Sequence, residues 1–220
     1  PVENSTEGAV GRTLDLLTAT GLKICGEIAL PVHHNLLSQQ TDLSQITKVY
    51  SHSQSLAQCH EWLHQHLPNA SLQAVSSNAE GARLAANEQG VAAIASERAA
   101  EIFGLQALAM HIEDDPKNTT RFLVLASHEV AASGKDKTSL LIATKNVPGA
   151  MVSILEPLAR NQVSMTKFES RPAKMGLWEY VFFVDIEGHQ QDAKVAKALA
   201  EISERASLLK VLGSYPSAVI

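Results

Sequence analysis

Apolar residues in the first 112 positions follow two periods that alternate along the chain. Val10, Leu14 and Leu17 are spaced i, i+4 and i+7, which predicts a helix that ends near Gly21. Short apolar runs typical of strands then alternate with stretches of helical spacing. These runs are residues 23–37, 46–52, 71–75, 91–95 and 105–112. The alternation predicts an α/β fold with a parallel sheet.

A helix is predicted at residues 54–66, where Ser53 can cap its start and Pro68 closes it. Its "HEWLH" stretch matches the pattern that places two zinc ligands, here His60 and His64, on one helix face. The alternative is a solvated face, because both histidines lie beside the apolar stripe and no convincing third ligand follows. That stripe consists of Leu56, Cys59, Leu63 and Leu67. We expect no metal site.

The pattern changes after residue 127. Residues 128–137 are small, polar and glycine-containing, which indicates a linker. The elements beyond it are predicted as a strand, a helix, two strands, a helix and a strand, at residues 138–145, 149–162, 163–170, 177–186, 190–203 and 208–215. This βαββαβ order is ferredoxin-like. We therefore predict one domain at 1–127, a linker at 128–137 and a second domain at 138–220.

Composition narrows the possible partners. The 220 residues carry a net charge of −5, which argues against a broad basic surface for nucleic acid. The two cysteines, Cys25 and Cys59, form no disulfide framework and fit free thiols in a reducing compartment. No apolar run approaches the length of a membrane span. We expect a cytoplasmic protein without membrane or nucleic-acid partners.

A first polar cluster lies where a predicted strand meets the helix at 54–66. Ser51 ends the strand, and Gln54 and Gln58 are spaced i, i+4 on one face of the helix. Ligands of open α/β sheets bind at the carboxyl ends of strands, where exposed helix N–H groups favour anions. The alternative is simple capping above a hydrophilic helix face.

A second cluster precedes a buried strand. Arg121 has the fork geometry to hold a carboxylate through two hydrogen bonds, and Thr119 and Thr120 have hydroxyls that can add short ones. The alternative is a turn with a surface arginine. In the second domain, Gly149 and Ala150 are small enough to let a ligand approach the backbone, although the same residues also suit a plain turn.

Several separate motifs occur together and in register, and with them the chain resembles the prephenate dehydratase family from Pro1 to Pro216. They are "PVENSTEGAV", "HHNLL", "VYSHSQSLAQC", "NTTRFLVLA", "NVPGAMVSILEPLARNQVSMTKFESRP" and "VLGSYP". The second domain resembles the ACT regulatory domain of that family. The chain is also similar to the dehydratase portion of proteobacterial bifunctional chorismate mutase–prephenate dehydratases. Met151 departs from the family pattern, which has leucine there, and the volume change is small.

The resemblance implies an α/β catalytic domain with two lobes, like a periplasmic binding protein, and an active site between the lobes. The resemblance also leads us to expect an incomplete first lobe, because the family has a strand and loop ahead of the position of Pro1. A ferredoxin-like βαββαβ ACT domain follows. The implied reaction converts prephenate to phenylpyruvate, water and carbon dioxide in phenylalanine biosynthesis, without metal or organic cofactor. The implied assembly is a homodimer or homotetramer.

The resemblance also implies the residues of two sites. The expected catalytic residues are Thr120, Glu3, Asn4, Ser51 and Gln58. The expected substrate-binding residues are Ser5, Thr119, Arg121 and Phe122. L-Phenylalanine, the expected allosteric ligand, is assigned to Asn146, Gly149, Ala150, Met151, Val152, Glu169, Ser170, Arg171 and Pro172.

The chemistry suggests a role for each catalytic side chain. Aromatisation drives the reaction, so the enzyme has mainly to orient prephenate and to supply a proton to the departing hydroxyl. Thr120 is expected to donate to that hydroxyl, and Arg121 to hold the pyruvyl carboxylate. Glu3 is the acid if burial raises its pKa, or else it orients Asn4 or Thr120. A non-catalytic amino-acid sensor with the same domains is the alternative function.

Overall fold

The computed structural model describes residues 1–145, 147–173 and 180–218. Its thirteen strands are β1 Glu3–Asn4, β2 Gly8–Ala9, β3 Lys23–Pro31, β4 Asn35–Ser38, β5 Lys48–Ser51, β6 Ser71–Ala74, β7 Val91–Ala95, β8 Gln106–Ala109, β9 Thr119–Ala126, β10 Asp136–Ala143, β11 Met165–Pro172, β12 Tyr180–Glu187 and β13 Leu208–Pro216. Its α-helices are α1 Gly11–Ala19, α2 Ser53–Gln58, α3 His60–His66, α4 Asn78–Ala85, α5 Glu97–Phe103, α6 Ala150–Arg160 and α7 Ala193–Arg205.

The chain divides into two structural units. One consists of residues 1–30 together with 119–220, and the other of residues 31–118. These units group the chain differently from the predicted domains, because β1 to β3 and β9 pack with the C-terminal half of the sequence. The predicted linker at 128–137 stays a prediction.

The unit at 31–118 contains a five-stranded sheet in the order β6-β5-β7-β4-β8. β5 is parallel to β6 and β7, whereas β4 is antiparallel to both β7 and β8. The sheet is therefore mixed rather than parallel throughout. Helices connect β5, β6, β7 and β8 in turn, and these four strands share a direction. No α-helix connects β4 to β5, and β4 runs the other way.

The helix predicted at 54–66 is interrupted at Cys59, where α2 ends and α3 begins. The side chain of Asp114 accepts hydrogen bonds from the backbone N–H groups of Glu61 at 3.1 Å and Trp62 at 3.2 Å. It therefore caps α3 from outside the helix. Cys59 itself is fully buried in the core of this unit.

The unit formed by residues 1–30 and 119–220 contains two sheets. The first has the order β2-β1-β9-β3, and the second is an antiparallel sheet in the order β11-β12-β10-β13. With α6 and α7 on one face, the second sheet has the predicted βαββαβ arrangement. Its other face shares a core with α1 and β3, in which Leu14 and Ile24 pack with Leu141, Phe183 and Leu212.

Among the described residues, no helix has the length and apolar character needed to cross a membrane.

Candidate active site on strands β1 and β9

Asn4 and Thr120 face each other across the antiparallel pair of β1 and β9. The Asn4 side-chain Nδ2 donates a hydrogen bond to Thr120 Oγ1 at 3.0 Å. Asn4 Oδ1 accepts from the backbone N–H groups of Thr6 and Glu7, each at 3.0 Å. Because backbone N–H groups only donate, these two contacts fix the orientation of the amide. The Thr120 hydroxyl therefore uses a lone pair toward Asn4 and keeps its proton for another acceptor.

Glu3 and Arg121 are the next opposed pair of these strands, so their side chains point to the other face of the sheet. Glu3 Oε2 lies 2.8 Å from Lys167 Nζ and 3.5 Å from Arg121 Nη1. Glu3 is thus engaged by two cations on the face opposite to Thr120. This placement does not favour Glu3 as the acid beside the Thr120 hydroxyl, and its predicted role remains untested.

Arg121 is largely buried and makes contacts in three directions. Its Nε donates to Glu27 Oε2 at 2.6 Å, its Nη1 to Asp185 Oδ2 at 2.7 Å and its Nη2 to Tyr215 Oη at 3.0 Å. Burial alone would lower the pKa of Arg121, but the negative charges of Asp185 and Glu27, with the hydrogen bond to Asp185, outweigh it and raise the pKa. The guanidinium is permanently charged, and each of its three nitrogens already has an acceptor. The predicted carboxylate clamp remains untested, and these contacts favour a structural role for Arg121.

Ser5 and Thr119 extend the same strand pair. Ser5 N–H donates to the Thr119 carbonyl at 2.9 Å, and the Thr119 N–H donates to Ser5 Oγ at 3.0 Å. Both residues line a cavity of about 260 Å³ on the Arg121 side of the sheet. Phe122 is half-buried, and strand alternation puts it on the face of Thr120.

Ser51 and Gln58 belong to the other unit, at residues 31–118. Ser51 is completely buried, and its Oγ lies 2.8 Å from both Asn78 Oδ1 and the Ile94 carbonyl oxygen. Gln58 Oε1 accepts hydrogen bonds from His34 Nε2 at 2.8 Å and Asn118 Nδ2 at 3.3 Å. The two amide protons of Gln58 have no acceptor among the described residues and remain available to a ligand.

Sequence reasoning missed the residues that orient these side chains. His34 and Asn118 are both buried and hold the Gln58 oxygen, and Asn78 holds Ser51. A local signal existed for His34, because a His–Asn pair at the start of a buried strand needs internal hydrogen-bond partners. Asn118 and Asn78 had no such signal, because their partners are 60 and 27 residues away in the chain.

One group of three ligand-type side chains lies close together within the described residues: His33, His111 and Glu113. The two rings stack with centroids 4.3 Å apart and planes 17° from parallel, and His33 Nδ1 lies 2.8 Å from Glu113 Oε1. A ring nitrogen binds a metal through a lone pair in the ring plane, so two stacked rings do not converge on one ion. The group is better described as a hydrogen-bonded His33–Glu113 pair with the His111 ring stacked on it. His60 and His64 of the "HEWLH" stretch are not part of it.

The two segments predicted to bind phenylalanine lie in the unit formed by residues 1–30 and 119–220. One is at the start of α6 and the other is on β11. Gly149 adopts φ 79°, a left-handed conformation that glycine tolerates, and α6 begins directly after it at Ala150. Met151 and Val152 are in its first turn, where backbone N–H groups have no partner inside the helix. Val152 is 70% exposed and Val147 55% exposed. Asn146 lies outside the described residues.

The other predicted segment alternates along β11. Glu169 and Arg171 are half-buried, whereas Ser170 and Pro172 are exposed. Arg171 Nη2 donates to Asp15 Oδ1 of α1 at 3.0 Å. The four residues therefore divide between two faces of the strand, and the arginine contacts α1.

Comparison with known proteins agrees with this architecture. Residues 1–130 match the family model for prephenate dehydratase, and residues 138–204 match the ACT domain. The bifunctional chorismate mutase/prephenate dehydratase of Neisseria gonorrhoeae is 58% identical over 223 residues, which cover 100% of this chain and 62% of that protein. The chain thus spans less than two thirds of that relative.

Two solved structures are similar over 98% of this chain. One is the prephenate dehydratase of Arthrobacter aurescens in complex with L-Phe, with a TM-score of 0.88, 35% identity and 73% of its chain covered. The other is GqqA, described as a novel type of quorum quenching acylase, with a TM-score of 0.86, 30% identity and 80% of its chain covered. With a family model that matches residues 1–130, the chain belongs to the prephenate dehydratase family.

Proposed function

We propose that the chain carries the dehydratase and regulatory parts of a prephenate dehydratase, which converts prephenate to phenylpyruvate and responds to L-phenylalanine. The observation that carries this proposal is the Asn4–Thr120 pair, in which an oriented amide leaves the threonine proton uncommitted. Thr120 has no acceptor for that proton among the described residues. The family match over residues 1–130 supports the same assignment.

The reaction requires a proton at the oxygen of the departing ring hydroxyl. The ring carboxylate leaves as carbon dioxide, and the electron pair of its C–C bond enters the ring. The C–O bond of the ring hydroxyl breaks, and the hydroxide takes up a proton to leave as water. In our proposal Thr120 donates a hydrogen bond to the departing oxygen, and solvent supplies the proton, since a threonine hydroxyl is too weak an acid to give up its own. Asn4 holds the hydroxyl in that direction.

Substrate carboxylates need donors that are not already occupied. The Arg121 guanidinium is surrounded by Glu27, Asp185 and Tyr215, whereas both amide protons of Gln58 are available. We therefore retain Gln58 as a predicted substrate contact. Ser51 is buried between two acceptors, which supports a role in shaping the strand end.

Regulation by L-phenylalanine is proposed for the segment around Gly149. The start of α6 offers N–H groups and a favourable dipole for the carboxylate of an amino acid. Val147 and Val152 expose apolar surface there that a ring or a second subunit would cover. The L-Phe complex of the Arthrobacter protein supports this ligand. We further propose a homo-oligomer, since β11 is an edge strand of its sheet, and a cytoplasmic location.

The test measures phenylpyruvate formation from prephenate by ultraviolet absorbance, with and without L-phenylalanine. We expect the chain to turn over prephenate and L-phenylalanine to reduce that turnover. We also expect calorimetry to detect binding of L-phenylalanine to the same preparation. Binding without turnover would support the amino-acid sensor instead. An acylase assay on the same sample controls for the activity described for GqqA. Neither turnover nor binding by a folded sample would reject both proposals.

A further inference from the structure

We propose that Arg121 is a positioning residue that links the antiparallel sheet of β10 to β13 to the Thr120 hydroxyl, so that the regulatory part of the chain acts on catalysis through this side chain. The inference rests on the proposed function. It concerns a residue whose side chain points away from Thr120 and belongs to a cluster of charged side chains, of which all but Glu3 are largely buried.

This cluster, called the Arg121 cluster below, joins three cations and three anions. Arg121 pairs with Glu27, Asp185 and Glu3, Lys137 with Glu27, and Lys167 with Glu3. Its formal charge is zero, so no member is left without a counter-charge. The six residues come from six strands, namely β1, β3 and β9 of one sheet and β10, β11 and β12 of the other.

The two nearest acidic partners of Arg121, Asp185 and Glu27, are themselves held in place. Asp185 Oδ1 lies 2.5 Å from Ser139 Oγ, which in turn lies 2.6 Å from Tyr215 Oη. Burial alone would raise the pKa of Glu27, but hydrogen bonds from Lys137 and from the Ala218 N–H, with the Arg121 charge, lower it. A planar guanidinium with directed bonds to fixed partners on β3, β12 and β13 has little freedom to turn.

Strand alternation connects this cluster to the reactive pair. Arg121 follows Thr120 on β9, and Glu3 precedes Asn4 on β1, so each reactive residue has a neighbour in the cluster. A displacement of β12 or β11 therefore pulls on both strands at the register of Asn4 and Thr120. β11 also carries Glu169 and Arg171 of the predicted phenylalanine site, on the face of Lys167.

A purely stabilising role is the competing explanation. Buried ion pairs are weak stabilisers compared with apolar residues of similar size, because burial removes both charges from water. Six charges between these two sheets therefore lose much hydration free energy and would stabilise the fold less than apolar residues would. They do define one geometry, since directed bonds cannot be satisfied after a shift of the strands.

The experiment compares the wild-type chain with Asp185→Asn, which removes one charge that holds Arg121 and keeps the side-chain shape. We expect kcat to fall about tenfold with little change in KM, because the reacting groups are displaced while binding is retained. L-Phenylalanine should still bind by calorimetry but inhibit at least about fivefold less at equal saturation. Glu201→Gln, which removes the charge of a half-buried partner of Arg160 on α7, is the matched control and should leave all three readouts unchanged.

A second readout does not require turnover. The methyl NMR signal of Thr120 should shift in Asp185→Asn and stay in place in Glu201→Gln. Should Asp185→Asn fail to fold, Tyr215→Phe removes only a hydroxyl from Arg121 and should change the same quantities in the same direction. Unchanged kcat, inhibition and Thr120 signal in a folded variant would overturn the proposal. A wild-type chain without turnover would reject the proposed function instead, and the NMR comparison would still decide the link.

Discussion

The Asn4 amide donates to the Thr120 hydroxyl over 3.0 Å across two antiparallel strands. Its own oxygen is held by the Thr6 and Glu7 N–H groups, so the amide does not flip without losing two hydrogen bonds. The Thr120 hydroxyl thus accepts a hydrogen bond from Asn4 and can still donate its own proton. In this arrangement Asn4 orients the hydroxyl and Thr120 donates the hydrogen bond. A separate substitution can remove each of these two roles.

Replacing Thr120 by valine tests the donor directly. Valine keeps the branched shape and loses the hydroxyl, so we expect kcat to fall about 100-fold, as for other single donors to a developing oxyanion, with little change in KM. Steady-state kinetics with prephenate measure both parameters. Thr120→Ser keeps the hydroxyl and should retain most of the activity. A Thr120→Val variant with near-normal kcat would remove Thr120 from the mechanism.

Replacing Asn4 by aspartate tests the orientation of that donor. The carboxylate still accepts from the Thr6 and Glu7 N–H groups, but it has no proton for Thr120 and accepts one from it instead. We expect about a tenfold loss of kcat, the value of one net hydrogen bond, in a protein that remains folded. Asn87→Asp, an exposed change of the same kind on the other unit, serves as control. Equal kcat in both variants would contradict the assignment of Asn4.

The "NTTRF" motif identifies residue types and strand faces, but it does not identify the partners of those residues in the fold. Strand alternation alone places Thr120 and Arg121 on opposite faces, so a shared ligand was already disfavoured by their spacing. The partners of Arg121 lie 94 and 64 residues away, and no local pattern records them. The sequence therefore identified the residue type at the site but not the direction in which it points.

In the fold, too, local features were predicted from the sequence and features that depend on distant contacts were not. The βαββαβ order followed from amphipathic helices and buried strands, which are local features. The antiparallel direction of β4 and the break at Cys59 depend on contacts made after folding. In the second case the cap is Asp114, which follows the helix by some fifty residues.

Gly213 contacts the backbone of β3 closely enough to exclude any side chain. A Cβ atom added there would lie 2.1 Å from the Ile24 carbonyl oxygen and 2.8 Å from its nitrogen. Backbone atoms of a paired strand have little room to move, so Gly213→Ala should cost about 3 kcal/mol of unfolding free energy. Urea denaturation measures it. Gly21→Ala meets nothing within 4 Å and should stay within about 0.5 kcal/mol of wild type. Equal midpoints would show that β13 moves freely against β3.

The two thiols should react at very different rates. Cys59 is fully buried, and burial together with the Asp114 and Glu113 charges raises its pKa to about 12. Cys25 is half-buried on β3. A maleimide added to the folded protein should label Cys25 first and Cys59 only after unfolding, as peptide mass spectrometry would reveal. Fast labelling of Cys59 in the Cys25→Ser variant would contradict the buried placement.

Glu27 should make the stability of its unit depend on pH in the acid range. Its folded pKa is lowered from 4.5, so its contribution is present above pH 4.5 and is lost as the pH falls through the folded pKa. Glu27→Gln leaves Arg121 and Lys137 short of a buried counter-charge, and we expect a loss of about 3 kcal/mol at pH 7. The gap to wild type should narrow below pH 4.5, because the unfolded chain binds a proton at Glu27 there, whereas the folded protein does so only at lower pH. Denaturant titrations of both proteins from pH 7 to pH 3.5 measure this gap. A gap that stays constant over that range would mean that the charge of Glu27 does not hold the Arg121 cluster together.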